Sequence, residues 1–139
     1  MNNDFKWSSV NSCVFKMFFH VVFVTKYRRS LLDSDMLKRL DEIFRETMRS
    51  LDGFLIEFGG EADHVHLMIS SHHKYSLSNI INTLKGRSSF YLRKEFWLRI
   101  KEKLWGNHFW SSSYCVISCG GAPLSIIKEY ISNQQGTKK

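Results

Sequence analysis

The sequence predicts an α+β fold, a ferredoxin-like or RRM-like antiparallel sheet with helices on one face. Three observations predict it. Residues 64–70, HVHLMIS, alternate as a strand does, so Val65, Leu67 and Ile69 share one face while His64 and His66 share the other. Two segments, beginning near residues 34 and 77, repeat apolar residues at helical spacing and can cover the apolar face. The elements run in the order β-α-β-β-α-β-α within 139 residues, a length that forms one domain around one hydrophobic core.

Residues 1–12 are polar, carry no period and read as a loose arm. Residues 14–24, VFKMFFHVVFV, are β-branched and aromatic with no turn residue, which predicts a long first strand. A helix follows: Asp33 or Ser34 can cap it, and Met36, Leu37, Leu40, Ile43, Phe44, Thr47 and Met48 form its apolar stripe until Gly53 stops it. The run FLIEFGG is a short strand, and Gly59-Gly60 is expected to turn the chain back into the histidine strand. From Ser76 a second amphipathic helix carries Leu77, Ile80, Ile81, Leu84, Tyr91 and Leu92 on one side and Lys85, Arg87, Arg93 and Lys94 elsewhere. Gly86 costs that helix about 1 kcal/mol relative to Ala, so a bend or a close contact is expected there. The helix ends around Trp105-Gly106-Asn107, and HFWSSSYCVIS at 108–118 reads as the last strand. Gly120-Gly121 breaks it, Pro123 opens a final helix LSIIKEYISNQQ, and residues 136–139 form a frayed basic tail. No repeat or low-complexity segment divides the chain.

Charge narrows the function. Twenty Lys and Arg against 13 Asp and Glu give a formal charge of +7, which favours a polyanionic partner, nucleic acid before an anionic membrane. The longest apolar run, MFFHVVFV at 17–24, is interrupted by His20 and is too short to span a bilayer, and no secretory leader pattern opens the chain. A cytoplasmic protein with no membrane partner is expected, its Cys13, Cys115 and Cys119 reduced.

Two imidazoles on adjacent same-face positions make half of a metal site, with the remaining ligands supplied from elsewhere. The plain alternative is a pair of histidines on an exposed sheet face. Zinc shared with Cys115 and Cys119, spaced C-x3-C, is another, against the usual role of reduced cysteine as a small core residue. On the last helix Tyr130 and Gln134 lie four residues apart, so a phenol and an amide oxygen share one face; Tyr130 could equally be the edge of the stripe formed by Leu124, Ile127 and Ile131. Glu61 and Asp63 flank the histidine strand, where a carboxylate either orients an imidazole, touches a metal, or simply ends a strand in solvent. Lys26, Arg28 and Arg29 after the first strand, with Lys85 and Arg87 on the long helix, are candidate phosphate contacts. Trp7, Trp97, Trp105 and Trp110 are candidate stacking platforms that could as well be core.

The segments HVVFVTKYRR, EADHVHLMI, LSNIINTLKGRSS and KEYISNQ, in this order, closely resemble the single-tyrosine HUH transposases of the insertion sequence 200/605 family. The resemblance runs from about residue 14 to 135, and the His-hydrophobe-His triplet is His64-Val65-His66. It implies that Tyr130 is the nucleophile and that His64, His66 and Gln134 bind the catalytic metal. It also implies single-stranded DNA with hairpins at element ends as substrate, a 5′-phosphotyrosine intermediate, and a homodimer with composite active sites, for which Gly120-Gly121 could serve as a hinge. Magnesium prefers oxygen ligands and tolerates imidazole poorly, while manganese accepts both; Mg²⁺ is the expected cellular ion, with Mn²⁺ at least as effective in vitro. Other readings keep part of this: a domesticated palindrome-associated relative, a replication initiator or relaxase (usually a longer protein), a non-catalytic RRM-like binding module, or a water-activating metal hydrolase that would not need Tyr130.

Overall fold

The structure is a computed structural model that describes residues 8–10, 13–15, 17–72, 74–104, 106 and 108–120. Strands β1 (Ser8–Val10) and β2 (Cys13–Phe15) form a separate antiparallel ribbon. Then come β3 (Phe18–Thr25), a 3₁₀ turn (Lys26–Arg28), α1 (Ser34–Ser50), β4 (Phe54–Glu61), β5 (His64–Ser70), α2 (Leu77–Ile100) and β6 (Trp110–Gly120). The four longer strands make one antiparallel sheet in the order β4-β5-β3-β6. The two strands that precede helices, β3 and β5, therefore lie in the middle, which is the split βαβ arrangement the sequence predicts.

The strand expected over 14–24 is divided. Phe18 is the β3 residue paired with Ser70, where β5 ends, so nothing on β5 remains for residues 13–15 to pair with; they pair with β1 instead. Residues 8–10 of the expected loose arm are thus strand.

Asp33 caps α1 by accepting the Met36 N–H at 2.9 Å, and Met36, Leu40, Ile43, Phe44, Thr47 and Met48 are buried, with Leu37 half-buried beside them. Asp52 takes the left-handed conformation (φ 59°) that ends the helix. Gly53 serves a different need: a Cβ there would collide with the Ser70 carbonyl oxygen. Ser76 caps α2 through the Asn79 N–H at 3.1 Å. The irregularity in α2 falls at Phe96 (φ −123°), not at Gly86, where an added Cβ would meet nothing within 4 Å. Tyr91 is exposed rather than part of the apolar stripe.

The core lies between the sheet and the helices. Val21 and Phe23 of β3 and Val65, Leu67 and Ile69 of β5 pack with Leu40 and Phe44 of α1 and Ile81 and Leu84 of α2. Phe23 stacks obliquely against Phe44 and Trp110, at centroid separations of 6.0 and 5.7 Å. The buried Trp110 indole donates to Ser88 Oγ at 2.9 Å, and Ser88 in turn donates to the Leu84 carbonyl at 2.7 Å, so this polar insertion is satisfied. Trp110 is a core residue, Trp97 is exposed, and Trp7 and Trp105 lie outside the described residues. So do Pro123, the final helix with Tyr130 and Gln134, and the tail at 136–139. Among the described residues no helix is long and apolar enough to cross a membrane.

Candidate active site and nucleic-acid groove

The expected hairpin between β4 and β5 forms, but its turn is Ala62-Asp63 rather than Gly59-Gly60. Gly59 and Gly60 stay in the ladder, opposite His66 and Val65. A Cβ on Gly60 would sit 2.9 Å from the His64 carbonyl oxygen of the neighbouring strand and equally close to Leu37 Cδ2 and Val65 Cγ1, so this glycine lets β5 and α1 pack against it. The turn is held from below. Thr25 N–H donates to the Asp63 carbonyl at 3.0 Å, and the Leu31 and Leu32 N–H groups both donate to the Ala62 carbonyl at 2.9 Å.

His64 and His66 sit at the centre of the sheet, opposite Val24 and Val22 of β3, on the face turned away from α1 and α2. They are 6% and 7% exposed, which removes the plain reading of two solvent-facing histidines. A third imidazole joins them. His20 faces the same way, opposite Met68, with its ring 5.8 Å from that of His66 and nearly perpendicular to it. Sequence reasoning saw His20 only as a break in an apolar run; its position two residues before Val22 was the available signal.

Asp63 fixes the first of these rings. Its Oδ1 lies 2.9 Å from His64 Nδ1, and a carboxylate oxygen can only accept, so Nδ1 is the donor and Nε2 is the nitrogen left to meet a metal. That is the usual preparation of a metal-binding histidine, with the partner fixing tautomer and ring orientation. The other Asp63 oxygen accepts from Arg28 Nη2 at 3.3 Å. The bond from His64 holds the Asp63 carboxyl below its ordinary range, burial opposes this, and Arg28 adds to the lowering. Glu61 is exposed at the end of β4, opposite His64 in the ladder. The donors present thus fit a divalent cation at two positions, His64 and His66; the remaining expected ligand, Gln134, and the nucleophile, Tyr130, lie outside the described residues. Among the described residues no cluster of three or more His, Cys, Asp or Glu side chains is arranged to hold a metal. Cys115 and Cys119 are free thiols on β6, burial pushes the Cys119 thiol up, and neither belongs to a cluster of three candidate ligands among the described residues.

Beside the histidines runs an open groove of about 420 Å³ lined by Val24, Thr25, Lys26, Tyr27, Arg28, Ser111 and Ser113. It shares Val24 with the histidine ladder and Arg28 with the Asp63 pair. Lys26 and Arg28 supply its charge, and Lys85 reaches its rim by donating to the Ser111 carbonyl at 2.7 Å. Burial, with Lys26 nearby, pushes the Lys85 ammonium down. Arg29 is half-buried and lies against the Tyr27 ring. Arg87 is not part of this groove: it donates to Ser50 Oγ at 3.4 Å and lines a cleft between the two helices. Tyr27, which no sequence argument singled out, stands among these cations with its ring exposed. The signal was an aromatic residue set inside a basic run, KYRR.

A basic α+β domain with a buried histidine pair, one ring fixed by Asp63, on the sheet face opposite α1 and α2, beside a cation-lined groove, defines a nucleic-acid-processing class of protein. The chain belongs to the IS200/IS605 family of tyrosine transposases: the family model described as "Transposase IS200 like" matches residues 13–134. It is 29% identical over 123 residues to the ISDra2 transposase TnpA of Deinococcus radiodurans, covering 87% of this chain and 86% of that protein. With the IS200 transposase of Salmonella typhimurium it shares 30% identity over 116 residues, 84% of this chain and 75% of the relative. A crystal structure of a Deinococcus radiodurans protein described as a transposase superposes with a TM-score of 0.73 at 27% identity, covering 91% and 97% of the two chains. The fold is shared further with a REP-associated tyrosine transposase solved bound to a REP hairpin, at a TM-score of 0.58, 10% identity and coverage of 88% and 67%. Transposition, with the DNA binding and DNA cleavage it entails, is the function this membership gives the chain.

Proposed function

We propose that this transposase cleaves and rejoins single-stranded DNA at the ends of an insertion element through a 5′-phosphotyrosine on Tyr130. His64, His66 and Gln134 would hold the divalent cation, Mg²⁺ or Mn²⁺. The observation that carries the reading is the buried histidine pair at the sheet centre, with the His64 tautomer set by Asp63 at 2.9 Å. Two imidazoles and an amide are neutral donors, so the site would leave the ion's charge available to a phosphate. When bound, the cation would polarise the scissile phosphate and stabilise charge on the departing oxygen.

The covalent step conserves bond energy. The phenol oxygen of Tyr130 bonds to phosphorus as the P–O3′ bond breaks; the phenolic proton is released and the 3′-oxygen departs to become a 3′-OH. Attack by a 3′-OH on the phosphotyrosine reverses the exchange, so strands are rejoined without an external energy source. Lys26 and Arg28 in the groove would hold phosphates of the strand, with Arg29 and Lys85 at its margins and Arg87 on a separate surface. Hairpins at the element ends would be the recognised feature, and two chains would complete each other's sites. Light scattering with and without hairpin DNA checks the dimer; a monomer in both conditions contradicts it.

The chemistry is tested on a denaturing gel with Mn²⁺ or Mg²⁺ and labelled single strands taken from the DNA flanking the gene. A metal-dependent, protease-sensitive adduct on the 5′-phosphate end that the break creates, absent from Tyr130→Phe, is expected. Cleavage by Tyr130→Phe at the wild-type rate would remove the tyrosine from the mechanism.

A further inference from the structure

We infer that Tyr27 is a nucleotide-stacking residue of the groove, its ring forming the platform on which one base of the bound strand rests. The inference extends the strand-transfer reading, since it places that base beside the phosphate held near His64 and His66. Four observations carry it, and the first is conformational. Tyr27 (φ 61°, ψ 19°) and Arg28 (φ 53°) are consecutive non-glycine residues in the left-handed region, a combination that a bulky side chain avoids unless the surroundings impose it. The surroundings do impose it: Thr25 Oγ1 donates to the Arg29 carbonyl at 2.7 Å, across the turn, and Lys26 N–H donates to the Phe109 carbonyl at 3.0 Å. Glycine or asparagine would hold this turn with less strain.

The second observation is where the strain puts the ring. Tyr27 is 68% exposed and lines the groove with Val24, Ser111 and Ser113, so the turn turns an apolar ring outward instead of adding it to the core. The third is charge. Lys26 Nζ stands 5.2 Å and Arg29 Cζ 5.9 Å over the ring in cation–π contact, so a base would take a place on the ring that these long side chains give up as they turn to the phosphates. An aromatic surface between cations matches the repeat of a single strand, bases on the ring and phosphates on the charges. The fourth is continuity. Arg28, the next residue, is paired with Asp63, which holds His64, so a strand lying on Tyr27 runs toward the histidine face. Every base has a π-face, so the stack fixes the position of a nucleotide without reading its identity.

The test uses the whole chain and single strands carrying 2-aminopurine at successive positions around the cleavage point, with fluorescence read on binding. Wild type and Tyr27→Phe should quench one position strongly, and Tyr27→Ala should not. Tyr27→Ala should raise KM by about ten- to a hundred-fold, the worth of one aromatic–base stack, with kcat at saturating DNA little changed. Tyr27→Gly separates stacking from a structural role: thermal stability should hold or rise as the left-handed strain is relieved, while quenching is lost. Quenching and KM of wild-type size in Tyr27→Ala would overturn the inference, as would a lowered melting temperature in Tyr27→Gly, which would make the ring a staple for Lys26 and Arg29. The covalent adduct of the wild type is scored separately, so a failure of the strand-transfer chemistry and a failure of the stack give different results.

Discussion

Strand β5 has two faces that are almost equally hidden and serve opposite ends. On one, Val65, Leu67 and Ile69 are sealed beneath α1 and α2; on the other, His64 and His66 stand beside Met68 with His20 across from them. Burial alone does not distinguish them. Chemistry does: aliphatic side chains gain from leaving water, whereas an imidazole loses unless its nitrogens find partners. The first face is where the strand stabilises the domain, and the second is where the proposed reaction would find its metal ligands. Alternation with period two lets seven residues do both.

That contrast is sharpest in paired substitutions. His64→Ala and His66→Ala should each abolish cleavage, a loss of a thousand-fold or more, while urea unfolding shifts by about 1–2 kcal/mol, since each removes one buried ring and, for His64, its bond to Asp63. Comparable loss of stability and activity in both would make the histidines structural. Leu67→Ala reverses the pattern: a stability loss of about 2–5 kcal/mol in urea, with cleavage per folded molecule retained. Asp63→Asn should weaken metal affinity by about 10–100-fold in a Mn²⁺ titration, because the amide no longer selects the His64 tautomer.

The same carboxylate gives a pH signature. Its pKa is lowered in the folded chain, chiefly by the His64 bond, so its contribution to stability is complete above the ordinary Asp value of 3.8 and is lost as pH falls through the lower folded value. The stability difference between wild type and Asp63→Asn should therefore be constant near neutrality and shrink below about pH 4, in acid unfolding curves. Two glycines change stability alone, in opposite directions. Gly53→Ala should cost about 1–3 kcal/mol because the Ser70 carbonyl blocks its Cβ, whereas Gly86→Ala, with open space around it, should stabilise α2 by about 0.5–1 kcal/mol.

Those glycines also mark where the sequence could be read and where it could not. The alternation in HVHLMIS and the helical stripes of α1 and α2 are local, so strands, helices and the shared face of His64 and His66 were legible directly. Gly59-Gly60 looks like a turn and is not one: at Gly60 the space a Cβ would need is taken by the His64 carbonyl, Val65 and Leu37, contacts that no local pattern records. The same holds at residues 14–24: the strand divides where its partner β5 ends, which no local pattern records. Basic residues were legible as a class but not by place, for Lys26 and Arg28 line one groove while Arg87 lies between the helices. Tyr27 was hidden for a related reason, since a left-handed tyrosine is imposed by Thr25 and Phe109 and leaves no trace in composition.

The central claim is that the face of β5 turned away from α1 and α2 is a metal-binding face, and calorimetric titration of Mn²⁺ into the wild type, His64→Ala, His66→Ala and the double variant tests it most directly. Saturable binding by the wild type, weakened at least tenfold in each single variant and lost in the double variant while circular dichroism stays native, is the predicted result. Equal Mn²⁺ affinity in the wild type and the folded double variant would contradict it.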